Sequence, residues 1–341
     1  MKAVIFESFG DVSTLQYREV ATPEPGPGEA LIKVSRVGVN RLDLMARQGE
    51  VGPLPLPHIS GSEVSGVVAA IGPGVQIATG TRVAVAPYLY CGRCEYCLKG
   101  QETLCLKSDI LGLRSQGGYA EYVVVPEASL VPIPEGVTDS AAAAVALSAV
   151  TAWHMLVDQV RIKPGDIVLV WAAGSGVGSA AVQIARLHGA RVIATAGSDA
   201  KLDAAVNNLG ADWAINYRRE DVYERVRAIT GKRGVDVVFE HLGRDTMATS
   251  LRCLARGGTI VTCGTLTGRE AVVDLWSIFA KELKVIGSYG GTRANLQRLL
   301  QLVREARFRP VIDQELPLQD AARAHQRMAN REQFGKILLV P

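Results

Sequence analysis

Two hydrophobic rhythms divide the chain. Up to about residue 148, apolar residues alternate with polar ones or run in short blocks at 30–37, 65–71, 81–87 and 120–125. Pro- and Gly-rich punctuation falls at 23–28 and 72–74. Period-two runs between turn residues predict a coiled, β-rich region. From about 149 to 290 the rhythm changes. Strand-like runs at 167–171, 191–196, 213–217, 235–240 and 259–263 alternate with helix-length segments at 199–209, 222–230 and 245–255. That alternation predicts a parallel sheet covered on both faces. The tail, 291–341, reads as two helices (294–306 and 320–328) and a last strand, 336–340, expected to return to the first region.

The first strand of the α/β region opens into Gly174, Ser175, Gly176, Val177 and Gly178, after which Ala181, Ile184 and Leu187 keep helical spacing and Gly189 stops the run. A buried strand, a loop without side-chain bulk and a helix N-terminus form a site for a phosphate, because backbone N–H groups and the helix dipole both face it. This reads as the first βα turn of a dinucleotide-binding unit. Ser179 stands where the third glycine of G-x-G-x-x-G would be, and the same loop would also serve simply to pack a helix close to a strand.

Composition narrows the class. The chain has 341 residues, 48% hydrophobic and 21% charged, and a net charge of +3. Two domains fit that length, and the charge is too small and dispersed to favour nucleic acid or a membrane surface. The N-terminus runs into a strand-like segment with no signal-peptide pattern, and no apolar run reaches membrane-span length. A soluble, intracellular, cytoplasmic protein is expected.

Four of six cysteines share one loop: Cys91, Cys94, Cys97 and Cys105. Their C-x2-C-x2-C-x7-C spacing lets four thiolates converge on one tetrahedral zinc, closed to substrate and therefore structural. A disulfide framework and an iron–sulfur cluster are the rivals, the latter weakened because its motif continues x3-C-Pro. Cys253 and Cys263 read as plain buried thiols.

The cysteine lobe in a β-rich N-terminal region, followed by the Gly174–Gly178 loop, resembles the medium-chain dehydrogenase/reductase superfamily over essentially the whole chain. Leu42-Asp43, Gly61-Ser62-Glu63, residues 117–122 and Phe334-Gly335-Lys336 fall at corresponding segments. The resemblance implies an α/β fold in which a Rossmann doubly wound parallel sheet (149–290) is inserted into a GroES-like β-rich catalytic domain (1–148 and 291–341), with the zinc lobe at about 91–105. Zinc-type alcohol dehydrogenases of this superfamily carry Cys, His and Cys or Asp as catalytic zinc ligands. Here those positions are Asn40, Ser62 and Leu147. Residues 39–43 and 61–63 instead resemble the quinone oxidoreductase branch, which lacks catalytic zinc. The chain departs from that branch in keeping the cysteine lobe, and Met45 stands where some quinone reductases have a cofactor-contacting Tyr.

An NAD site needs a carboxylate at the end of the second strand, about 20 residues past the loop. Ala196 occupies that position, leaving room for a 2′-phosphate. Ser198 can donate to it, Lys201 can supply charge, and Tyr217 resembles a further phosphate contact. By resemblance, Cys263, Gly264, Ser288 and Tyr289 complete the cofactor set, and NADPH is the expected nucleotide. Asn40, and secondarily Ser62, are expected to hydrogen-bond a small, hydrophobic, electron-poor acceptor: a quinone, enone, 2-alkenal or enoyl thioester. Asp43 and Glu63 are expected to be anchored through Arg41 or Arg47, and Tyr88 and Tyr90 to be mainly packing residues. Two alternatives stay open: an alcohol dehydrogenase with unconventional zinc ligands such as His58, Asp43 and Glu63, or a non-catalytic NADPH-binding protein. A strand within 281–288 is expected, by resemblance, to pair across a homodimer or homotetramer.

Overall fold

The computed structural model describes all 341 residues. Residues 1–150 with 291–341 form one compact unit and residues 151–290 another.

The first unit is built on an eleven-residue strand, Glu29–Val39, most of which is buried, with only Lys33 exposed. Glu63–Ile71 pairs with it antiparallel on one side, and Tyr122–Pro126 and the returning C-terminal strand Lys336–Val340 pair with it as well. Arg82–Val85 and Leu130–Pro132 extend the sheet one way, and Ile312–Pro317 the other. Register shifts between Leu31/Ile32 and Val34/Arg36 bend the long strand, which lets the sheet coil around Ile32, Val37, Val64, Val83 and Leu339. Two registers matter for chemistry. Ile337 faces Val39, so Lys336 arrives beside residue 40, and Gly38 faces Glu63. A Cβ on Gly38 would sit 2.2 Å from the Glu63 carboxylate, so only glycine lets that side chain lie across the strand.

Three elements here were not legible as periodic runs. The helix Arg41–Gln48 is eight residues long; the Asp43 carboxylate accepts from Asn40 N at its start, and it ends at Gly49 in the left-handed region (φ 78°). The helix Asp139–Val145 is a run of small residues capped by Thr138, and the strand Ile312–Pro317 is half polar.

In the second unit six parallel strands lie in the order Trp213–Asn216, Arg191–Ala196, Ile167–Val170, Val235–Glu240, Leu254–Thr262, Lys284–Gly287. Numbered along the chain this is 3-2-1-4-5-6, the Rossmann order. Ile167–Val170 is buried throughout, as a central strand covered on both faces must be. No single helix in the chain is long and apolar enough to cross a membrane.

Candidate functional site

In the second unit the chemistry collects where parallel strands end. After Val170 the chain turns through Ala172, held at φ 45°, and the amides of Ala172 and Ala173 are fixed by Thr195 of the neighbouring strand (3.2 and 2.9 Å). The helix Gly176–Leu187 follows, capped by Ser175, whose hydroxyl accepts from Gly178 N at 2.9 Å. Gly178 is a packing glycine: a Cβ there would lie 2.4 Å from Ala172 O. Gly178 thus packs the helix close to the strand, and the first-turn amides of Gly176 and Val177 are left without an internal acceptor.

Ala196 closes its strand beside Asn216, and Ser198 caps the next helix with its hydroxyl not used in the cap. Asp199 opens that helix and is bonded to Arg219 (2.6 Å) and to Asn216 Nδ2 (2.7 Å). A Cβ on Gly197 would meet Tyr217 Oη at 2.9 Å and Arg218 Nε at 3.0 Å, which brings the phenol and the guanidinium against this turn with Ser198 and Lys201 nearby in the chain. Arg218 is exposed and forms no ion pair. Cys263 and Gly264 follow the Thr262–Gly287 pair on one strand, and Ser288 and Tyr289 follow it on the next. Gly264 is required by its approach to His241 O, 2.4 Å from a Cβ. Burial pushes the Cys263 thiol up to about 12 and the Cys253 thiol likewise, leaving both neutral.

The first unit holds a continuous buried polar cluster. Lys336, 4% exposed, places its ammonium 2.6 Å from Glu63 Oε2, 2.6 Å from Asn40 Oδ1, 2.9 Å from Val39 O and 3.2 Å from Ser148 Oγ. The other Glu63 oxygen accepts from Leu147 N (3.1 Å), Ser148 N (2.7 Å) and Ser148 Oγ (2.9 Å). Beside it, Asp43 accepts from Asn40 N (2.7 Å), Gly61 N (3.1 Å) and Tyr119 Oη (3.1 Å). Burial pushes the Asp43 carboxyl up to about 6 against the pull of those amides, the Lys336 charge and the Tyr119 hydroxyl. Arg47 carries only donors, so His325 Nδ1 accepts from it (3.3 Å) and Nε2–H points to Tyr119 Oη (3.2 Å). Burial holds His325 down at about 3, neutral at any ordinary pH. The chain Arg47, His325, Tyr119, Asp43 thus has one proton direction and ends on the backbone that carries Asn40 and Gly61.

One expectation changes, and those for Ser62 and His58 keep their order. Asp43 and Glu63 are not anchored by Arg41 or Arg47: amides and Tyr119 hold the first, Lys336 the second, and Arg47 turns to Gly10 O and His325. Ser62 is wholly enclosed and its hydroxyl finds no partner, which leaves it a weak donor candidate. His58 is enclosed with Nε2 on Gly112 O (3.0 Å), so it, Asp43 and Glu63 serve separate partners. Tyr88 is buried, while the Tyr90 hydroxyl donates to Gly291 O (2.6 Å). Sequence reasoning missed Lys336 as a site residue, and Ser148, His325 and Arg218 altogether. The one available signal was a lysine opening an otherwise apolar core strand, Lys336–Val340.

The four cysteines of the lobe lie between two short paired strands, Tyr88–Leu89 and Asp109–Ile110. Their sulfurs are all within 4.8 Å of one another. Four ligands about 2.3 Å from one tetrahedral ion are about 3.8 Å apart, so the set fits zinc. The amides of Cys91 and Lys107 point at Cys105 Sγ (3.4 Å each), the backbone support a thiolate needs.

The chain matches family models for an alcohol dehydrogenase GroES-like domain over residues 26–135 and a zinc-binding dehydrogenase over residues 176–305. An alcohol dehydrogenase of Geobacillus stearothermophilus is 34% identical over 99% of both chains. A quinone oxidoreductase of Rattus norvegicus is 30% identical over 100% of this chain and 98% of its own length. A crystal structure of an NAD-dependent alcohol dehydrogenase superposes with a TM-score of 0.96 at 43% identity, covering both chains fully.

Proposed function

This chain belongs to the medium-chain dehydrogenase/reductase superfamily and is an oxidoreductase, and within it we propose an NADPH-dependent reductase that delivers hydride to quinones or activated alkenes without a catalytic zinc. One observation carries the reading. The positions that hold catalytic zinc ligands in zinc-type relatives are Asn40, Ser62 and Leu147, and the Asn40 amide oxygen is already taken by the Lys336 ammonium.

Bound NADPH supplies the hydride from its nicotinamide ring. In the loop Gly174, Ser175, Gly176, Val177, Gly178, the amides of Gly174, Gly176 and Val177 would hold the pyrophosphate, since Ser175 N and Gly178 N are already bonded; Ser198, Lys201, Tyr217 and Arg218 would hold the 2′-phosphate. Cys263, Gly264, Ser288 and Tyr289, just past the ends of the fifth and sixth strands, would face the same nucleotide. Asn40 Nδ2 would donate to the acceptor's oxygen, where the negative charge of a hydride reduction accumulates, and water would supply the proton that completes it. Cys91, Cys94, Cys97 and Cys105 hold one structural zinc.

NADPH oxidation followed at 340 nm with 1,4-benzoquinone, 2-alkenals and enoyl thioesters tests this, alongside zinc quantification. Turnover with about one zinc per chain is expected. A second reading, an NAD-dependent alcohol dehydrogenase, is favoured by the 43% identical structure. Fast alcohol oxidation with NAD and about two zinc ions per chain would establish it instead. Tight NADPH binding with no turnover on any acceptor would leave a non-catalytic binding protein.

A further inference from the structure

We infer that Lys336 is a positioning residue that sets the polarity of Asn40, turning the amide so that its nitrogen alone faces the acceptor. The inference rests on the reading that Asn40 donates to the acceptor's oxygen.

The argument is one of proton counting. An ammonium has three donors and no acceptor. Lys336 has four acceptors within 3.2 Å: Glu63 Oε2, Asn40 Oδ1, Val39 O and Ser148 Oγ. Ser148 is the most distant, and its own proton goes to Glu63 Oε1 at 2.9 Å. The ammonium's three hydrogen bonds go to Val39 O, Asn40 Oδ1 and Ser148 Oγ, and the Glu63 carboxylate is its ion-pair partner. The amide end facing Lys336 must be oxygen, since a nitrogen there would set N–H against N–H. The opposite end, Nδ2, has only a 3.5 Å contact with Gly38 O. That nitrogen is the donor left over for a ligand.

Removing the ammonium reverses the preference. Val39 O and the Glu63 carboxylate would then draw Nδ2 inward, and Oδ1 would face the acceptor's oxygen, lone pair against lone pair. Lys336 is buried with its ammonium on Asn40 Oδ1, so on this inference its effect reaches the acceptor through the amide.

The test is a double-mutant cycle on the full chain: Asn40→Ala, Lys336→Met and both together, with NADPH and 1,4-benzoquinone as substrates. Asn40→Ala should lower kcat about 10²-fold, the usual loss for one oxyanion donor, with the KM for NADPH unchanged. Lys336→Met should lose about as much, and the double variant no more than either single one. Lys336→Arg, if accommodated, should restore part of kcat. Where Lys336→Met unfolds because Glu63 is left buried and unpaired, Lys336→Met with Glu63→Gln carries the cycle, checked by thermal melting. Multiplying losses in the double variant, or an unchanged kcat in Lys336→Met, overturns the inference. An unchanged kcat in Asn40→Ala overturns the donor role of Asn40 itself. Absence of turnover by the unmodified protein overturns the proposed function before either.

Discussion

Replacing Arg218 with alanine should weaken NADPH and spare NADH. The structure makes this a clean perturbation. Arg218 is exposed and has no carboxylate partner, and its backbone bond to Asn216 Oδ1 (3.1 Å) survives truncation. The fold should therefore shift by no more than about 0.5 kcal/mol, as for an ordinary surface substitution. What is lost is one charge-assisted hydrogen bond to the 2′-phosphate, worth about 1.5–3 kcal/mol in general. Solvent screening at an exposed guanidinium argues for the lower figure. About 1.5 kcal/mol is roughly a tenfold rise in the Kd for NADPH. Ser198, Lys201 and Tyr217 remain, so binding should weaken without vanishing, and the penalty should shrink in high salt. Fluorescence titration of both nucleotides against the two proteins measures it, with NADH expected to stay within about twofold. Equal losses for NADPH and NADH would show that Arg218 does not read the 2′-phosphate. An unchanged Kd for NADPH would show that it does not reach the nucleotide.

Four further outcomes are expected. Ala196→Asp should move kcat/KM toward NADH, since a carboxylate at that strand end repels a 2′-phosphate and accepts from a ribose diol; steady-state kinetics that still favour NADPH would refute it. Stripping zinc with a chelator, or Cys97→Ser, should lower Tm while leaving NADPH affinity near its starting value, and an unchanged Tm would remove the structural role of the cysteine lobe. Asp43 is raised to about 6 in the fold against about 4 unfolded. Its contribution to stability is therefore lost as pH rises from about 4 to about 6, by roughly 3 kcal/mol, and Asp43→Asn should flatten that part of the difference between the two stability profiles in denaturant titrations. The strand Lys284–Gly287 lies at a sheet edge, with Val285, Leu275, Trp276 and Phe279 exposed nearby in the chain, so light scattering should give a dimer or tetramer, and a monomer at all concentrations would refute this.

The architecture was readable because both of its periods are local. A strand such as Ile167–Val170 or Arg191–Ala196 announces itself within six residues, and Cys91 to Cys105 announce a metal lobe within fifteen. The Gly174–Gly178 loop was readable for a related reason: its strand, turn and helix are contiguous. The cluster around Asn40 was not, because its parts lie far apart in the chain. Lys336 reaches Asn40 across 296 residues and Ser148 across 188. What joins them is register, Ile337 opposite Val39 and Gly38 opposite Glu63, and register is decided by the whole sheet. Arg218 escaped notice for a different reason. It lies in a run of charged residues, 218–221, and nothing local separates it from Arg219, which spends its charge on Asp199.

Polarity at residue 40 also bears on which direction of reaction the site favours. Oxidising an alcohol requires a group that takes the hydroxyl proton or a cation that stabilises the alkoxide. With its oxygen occupied by Lys336, Asn40 offers a ligand only an N–H, which can do neither. Ser62 is enclosed, Glu63 is engaged by Lys336 and three donors, and Asp43 is engaged by two amides and a phenol. A single outward donor is matched instead to an oxygen that begins as a carbonyl and gains charge. Electron-poor acceptors supply that oxygen, and their conjugation puts the charge on it while hydride is taken up one or more bonds away. On the proposed reading, asparagine at residue 40 in place of a metal ligand supplies the donor that a metal-free reduction would need.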